Sequence, residues 1–303
     1  MHVLDRVKYL IDNAEELNVT VVEKENVVII DAGVNTRPGY LVGALLVEIA
    51  TGGLAHAQIS TTEIEGKPIP VLNIVVDNPV LACMCYQIAG WIIQRGSETL
   101  YISGPGKVIA GKPRKIIEQF CHENCNKAPV FLVETDSAPS RETLQELIDR
   151  CKNYDRIYII LTSPLSIAGQ VQICGRVIEV ALFSLFSRGI EIARSATSAI
   201  GKVVLPPSNF ARDSIHAIAI CNDLILLTGD VTLTINTEKI EIPNDVVYRE
   251  DSRTFSEVLQ EYGKEFLTKI DPKMFKVARL TLYFKDGALQ LGKLRIDKVR
   301  TLF

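Results

Sequence analysis

Residues 165–183 are so apolar that the two charges among them, Arg176 and Glu179, dictate how the stretch can fold. Thr162-Ser163-Pro164 just before it offers a capping hydroxyl and a proline, which predicts a helix beginning after that loop. On one continuous helix Gln172, Arg176 and Glu179 fall at i, i+4 and i+7, on a single stripe. Apolar residues occupy the remaining faces, the pattern of a buried helix. An unpaired charge is costly to bury, so the stripe must face a polar partner or a cleft. Two readings follow. Arg176 and Glu179 either satisfy each other as an internal ion pair, or present a carboxylate beside a guanidinium in a cleft, the equipment of a general base.

With 303 residues, 47% of them hydrophobic, the chain has material for two domains. A net charge of -3 without a basic run argues against a nucleic-acid partner. Residues 167–186 approach membrane-spanning length, but their glutamines, Arg176 and Glu179 mark a buried helix of a soluble protein, so no membrane partner is expected. The start, Met1-His2-Val3-Leu4-Asp5-Arg6, lacks the apolar core of a signal peptide. Seven cysteines in apolar surroundings suit reduced thiols and a cytoplasmic location. Cys121, His122 and Cys125 lie close together without the second ligand pair a structural zinc site needs, so no metal is expected. Phosphate-loop and dinucleotide-binding glycine motifs are absent from the sequence.

Along the chain, helical spacing predicts helices over 3–18, 40–51, 79–95 and 140–151. Short β-branched runs predict a hairpin of strands at 19–22 and 27–30, and further strands around Ile59 and at 69–76, 99–102, 129–134 and 157–161. The last two flank the 140–151 helix as a βαβ unit and lead into the Arg176/Glu179 helix. Residues 214–219, 223–227, 230–236 and 277–284 also read as strands, arranged in a more antiparallel manner. The fold class is therefore α/β with α+β elements. A junction within the charged, glycine-containing segment 107–126 divides it into domains 1–118 and 119–303, the C-terminal strands being free to pack back on the first.

An ordered set of short motifs spans nearly the whole chain. They are Gly33-Val34-Asn35 with Gly39-Tyr40, Gly52-Gly53-Leu54-Ala55, Asp77-Asn78-Pro79 with Ala82-Cys83, and Gln87-Ile88-Ala89-Gly90-Trp91. Ser103-Gly104-Pro105 follows, then Ser163-Pro164 to Gly169, Val171 to Glu179, Asn222-Asp223, Lys269-Ile270-Asp271-Pro272 with Phe275, and Gly292-Lys293-Leu294. Each is weak alone; in this order they resemble the methenyltetrahydromethanopterin cyclohydrolases. The resemblance implies a two-domain α/β subunit with an interdomain pocket, assembled as a homo-oligomer, often a trimer. It implies reversible hydrolysis of 5,10-methenyltetrahydromethanopterin to the 5-formyl product, with the family's catalytic arginine and glutamate at Arg176 and Glu179. No cofactor is implied beyond the pterin, which is the substrate carrier. One segment departs from the family: Gly201-Lys202-Val203-Val204-Leu205-Pro206-Pro207 stands where many members carry Gly-Arg-Cys-Pro, so a pocket wall is expected to differ.

The chemistry suits these residues. A methenyl bridge is an amidinium-like cation whose carbon is already electrophilic, so what the reaction needs is a base, a placed water and a route for the proton. Glu179 supplies the base and attracts the cation; Arg176 favours the ionised carboxylate while burial opposes it. Further candidates for substrate binding are Gln172 on the same stripe, Glu134 at a strand end, and Ser103, Gly104 and Lys107 as a turn exposing N–H groups beside a lysine. Asn222 and Asp223 either read the pterin edge or cap a turn. Asn35 and Tyr40 either line the pocket or serve a turn and the core. His56, His122 and His216 have no triad-like company. A reduced-pterin binder without turnover, and a cyclohydrolase for a folate-type carrier, remain as alternatives.

Overall fold

The computed structural model describes residues 2–64, 66–96, 98–122, 125, 128–207 and 210–299. The chain divides into two compact units, Met1–His56 with Leu81–Gln172, and Ala57–Val80 with Ile173–Phe303. Both are discontinuous. The division expected at residue 118 falls inside the first unit, where ladder hydrogen bonds tie strands on either side of it into one sheet.

The first unit is built on a six-stranded sheet of order β1-β2-β8-β7-β6-β5. Strands β1 (Thr20–Lys24) and β2 (Val27–Asp31) form the expected antiparallel hairpin. Next, β2 runs parallel to β8 (Ile157–Thr162), and β8 parallel to β7 (Val130–Glu134). The antiparallel pair β6 (Glu98–Ser103) and β5 (Trp91–Arg95) completes the sheet. Val130 and Leu132 pack with α1 (Val3–Asp12) and α2 (Tyr40–Ala50), whereas Phe131 and Val133 pack on the other face with Trp91, Ile102 and Leu147. Burial on both faces is why β7 and β8 read as unbroken apolar runs.

Two short helices, α3 (Gly106–Ala110) and α4 (Arg114–Phe120), precede β7. The β7–α5–β8 unit is as expected, with Ser140 Oγ accepting the Thr143 N–H at the start of α5 (Arg141–Arg150). The helix expected over 79–95 is instead a π-helical segment, Val80–Gln87, followed by β5. Gly90 ends the helical pattern, and Trp91 and Ile93 then alternate inward with Ile92 and Gln94 outward, a strand's period. The reading of all seven cysteines as thiols is also corrected: Cys85 and Cys121 form a disulfide, joining the π-helical segment to the end of α4. The other five are buried and stand outside any disulfide.

The second unit is a six-stranded sheet of order β12-β11-β10-β9-β4-β3. It comprises β3 (Ala55–Ile64), β4 (Lys67–Asp77), β9 (Ala196–Val204), β10 (Asp230–Ile235), β11 (Arg279–Phe284) and β12 (Gly287–Gly292). β10 and β11 are parallel, while β4/β9, β9/β10 and β11/β12 are antiparallel. The C-terminal strands β11 and β12 thus belong to this sheet. The boundary with the first unit passes through α6 (Ile167–Cys174), and α7 (Val177–Phe186) lies against β9 and β10.

Strands expected at 214–219 and 223–227 are one helix, α8 (Ser214–Thr228), begun by Asp213 accepting the His216 N–H. Most of α8 is buried, so apolar residues appear on every side and the helical period is hidden. The divergent segment 202–205 is core: Val203, Val204 and Leu205 are buried in and just after β9, while Lys202 points to the exposed face.

Candidate active site

The apolar run does not make one helix. It breaks between α6 and α7 at Gly175-Arg176, where the Arg176 N–H reaches back three residues, to the Ile173 carbonyl, rather than four. Glycine is a poor helix former, which localises the break there. Arg176 becomes the residue capping α7, and Glu179 falls in the first turn of α7. A carboxylate at this position faces the positive end of the helix dipole. The single stripe inferred from i, i+4, i+7 spacing is therefore replaced by a cap-and-first-turn pair.

Arg176 Nε donates to Glu179 Oε2 at 2.9 Å, and the glutamate side chain is 6% exposed against 23% for the arginine. Among the described residues neither side chain has a third protein partner. One turn earlier, Gln172 is buried and its Oε1 accepts no hydrogen bond. Buried amide oxygens are normally satisfied, so this unmet acceptor is unusual within α6.

The remaining candidates divide between the units. Ser103 ends β6 with its hydroxyl 3.5 Å from the Leu132 carbonyl, inside the sheet. Gly104, at φ +95°, comes so close to β7 that a Cβ would lie 2.9 Å from the Val130 carbonyl oxygen. Its N–H is donated to the Tyr86 carbonyl, and the fully buried Lys107 ammonium is donated to that of Ile88. The turn expected to expose N–H groups beside a lysine instead caps the end of the π-helical segment, where the free carbonyls attract a cation.

Asn35 is exposed and hydrogen-bonds Asp31, whose carboxylate also receives the N–H groups of Gly33, Val34 and Asn35. Burial works to raise the Asp31 pKa, but these backbone donors outweigh it and hold the carboxyl below its usual value. Asp31 was missed in the sequence, although an aspartate closing a strand before Ala-Gly-Val-Asn is a recognisable loop organiser. Tyr40 opens α2 half-buried, and burial raises its hydroxyl pKa. Glu134 ends β7 opposite Tyr101, whose pKa is raised by burial and then by Glu134 and Asp136.

In the second unit, Asn222 donates to the Ile218 carbonyl of its own helix. Asp223 is fully buried and accepts from the Phe255 and Ser256 N–H groups and the Ser256 hydroxyl, at the start of α9 (Phe255–Tyr262). Burial pushes its pKa up to about 6 despite those donors. Of the two readings of Asp223, pterin edge or cap, these contacts favour the second: it anchors the start of α9. A surface hollow of about 640 Å³ lies between Tyr248–Asp251 and Gly292–Arg295, and neither Arg176 nor Glu179 lines it.

Two mixed sheets define a protein of the α/β class, and among the described residues its buried Glu179 carboxylate is held by Arg176 alone, at a helix start. Comparison with known proteins narrows the class. The family model described as Cyclohydrolase (MCH) matches residues 1–303, and the chain belongs to that family. It is 29% identical over 296 residues to the methenyltetrahydromethanopterin cyclohydrolase of Methanoregula boonei, covering 95% of this chain and 93% of the relative. Against the enzyme of the same name from Methylobacillus flagellatus it is 31% identical over 297 residues, covering 95% and 88%. Against that of Methanosarcina mazei it is 28% identical over 285 residues, covering 91% and 88%.

Proposed function

We propose that this protein hydrolyses the methenyl bridge of 5,10-methenyltetrahydromethanopterin, with Glu179 as general base. The observation that carries the reading is the buried Glu179 carboxylate, partnered by Arg176 alone among the described residues, in a chain matched end to end by the cyclohydrolase family. Water held by Glu179 attacks the cationic methenyl carbon and gives its proton to the carboxylate. The new C–O bond forms as the C–N π bond opens, and the tetrahedral intermediate then expels one ring nitrogen. Glu179 returns a proton to that nitrogen, and the hydroxyl proton leaves to solvent as the N-formyl group forms. A well-placed base accounts for roughly 10²–10⁴-fold of the rate.

Arg176 holds the carboxylate in one orientation and balances its charge in the absence of substrate. Because the substrate carbon is already an amidinium-like electrophile, the chemistry calls for no added cofactor. In this reading the protein works in the cytoplasm as a homo-oligomer, which light scattering on the purified protein tests. The test of function is the methenyl absorbance band. Wild-type protein is expected to bleach it, whereas Glu179→Gln binds the substrate without bleaching it. Tight binding without decay by the wild type would instead favour a pterin carrier.

A further inference from the structure

The first turn of α7 rests on two glycines, and their positions are tied to the proposed base. Gly201 lies on the inner face of β9, paired with Ile74 of β4 and Val231 of β10, near the middle of the sheet. A Cβ on Gly201 would come within 2.7 Å of Ile178 Cγ1 and 2.9 Å of Val177 Cγ1. Those atoms sit next to their own Cβ, so they cannot swing away as the tip of a flexible chain would. Gly229, between α8 and β10, also approaches Val177: a Cβ there would lie 2.4 Å from the Ile225 carbonyl oxygen of α8 and 3.0 Å from Val177 Cγ2. Val177 and Ile178 are 0% and 1% exposed, and they directly follow Arg176 and precede Glu179.

The other end of α7 is pinned separately. Phe183 packs edge-on to Phe275, Ser184 Oγ donates to the Val246 carbonyl at 2.7 Å, and Arg188 Nε bonds Asp245 at 2.9 Å. A helix fixed at its far end and pressed at its first turn has little freedom to absorb an added methyl group except by tilting that turn. Interiors are packed closely enough for one methyl to be felt.

We infer that Gly201 and Gly229 form a socket for Val177 that sets the position of the Glu179 carboxylate, making Gly201 a positioning residue for the reaction. The inference rests on the assignment of Glu179 as base. Occupying the socket displaces the base relative to the water it must deprotonate while leaving the groups that bind the pterin in place. Misplacement by an ångström costs about 10²-fold in well-oriented reactions. The effect therefore falls on kcat rather than KM.

The experiment compares Gly201→Ala, Gly201→Ala with Ile178→Ala, Val177→Ala and Glu179→Gln, following methenyltetrahydromethanopterin decay and thermal unfolding. Gly201→Ala is expected to fold, to lose about 10–100-fold in kcat and to keep KM within about twofold. Adding Ile178→Ala removes the nearest obstructing atom and restores most of kcat. A folded Gly201→Ala with wild-type kcat, or a loss that Ile178→Ala does not recover, overturns the socket. If Gly201→Ala does not fold, Val177→Ala decides: emptying the socket should lower kcat at constant KM, and an unchanged kcat overturns the proposal. Turnover by Glu179→Gln would remove the base assignment and this inference with it. An inactive Glu179→Gln beside fully active socket variants removes the socket alone.

Discussion

Each unit of the molecule contains a buried arginine–glutamate pair, and the two are built differently. In the first, Arg6 Nε of α1 meets Glu48 Oε2 of α2 at 2.6 Å, with side chains 8% and 9% exposed. That pair is saturated: another Arg6 nitrogen reaches the Ala55 carbonyl, and Glu48 Oε1 lies 3.0 Å from His56 Nδ1. In the second, Arg176 and Glu179 face each other at a helix start, with the arginine partly open and no third protein partner among the described residues. A buried charge that has spent its hydrogen bonds on the protein holds the fold together, since removing either partner strands the other. One with unspent bonds is available to a substrate. The lesson is that burial and ion pairing do not separate a saturated carboxylate from one with bonds to spare; the number of remaining partners does.

The largest contrast is expected from removing each carboxylate. Glu179→Gln should cut turnover by at least about 10²–10⁴-fold with thermal stability little changed, measured as methenyl bleaching beside an unfolding scan. Glu48→Gln should do the reverse, leaving the folded fraction active but costing about 3–5 kcal/mol in urea denaturation, because Arg6 is left buried and unneutralised. Equal effects of the two variants on stability would erase the distinction.

Asp223 offers a third type, a saturated carboxylate without a cation. Its pKa is about 6 in the folded protein against an ordinary 3.8, so the native state holds the proton more tightly. The resulting stabilisation is complete below 3.8 and lost as pH rises through about 6. At 1.36 kcal/mol per unit this amounts to roughly 3 kcal/mol. Denaturation midpoints of wild type and Asp223→Asn, compared across that window, should show the slope only in the former. Next in size, Arg176→Lys keeps the charge but loses the planar fork, and about a tenfold fall in kcat is expected. Smallest is His56→Ala, since that ring is 74% exposed; a loss under about 1 kcal/mol is expected, and a larger one would show that the His56 contact, not Arg6 alone, carries the Glu48 carboxylate.

Much of the architecture was legible in local pattern. The β1–β2 hairpin, α2 and the β7–α5–β8 unit were marked by helical spacing and by β-branched runs of strand length. Local signals failed where burial was uniform. Helix α8 shows no polar side from which to read a period, and segment 79–95 changes from π-helical to strand without a change in hydrophobicity. Of the site, Arg176 and Glu179 stood out because charge is rare in such a run. Ser103, Gly104, Lys107 and Asp223 were chemically reasonable choices whose donors and acceptors turn out to be occupied by the fold.

Residue order alone was enough to establish the family, the mixed α/β class and the pairing of Arg176 with Glu179, because each depends on spacing within a few residues or on an ordered set of short motifs. Three-dimensional packing decided the rest. It divided the chain at 56/57, 80/81 and 172/173 rather than near 118, since strand pairing joins residues distant in sequence. It also broke the apolar helix at Gly175-Arg176, joined Cys85 to Cys121, and consumed Lys107 and Asp223 in capping. Whether a polar side chain retains an unspent hydrogen bond is settled by neighbours brought from elsewhere in the chain, and for that reason the openness of Glu179 was visible only after folding.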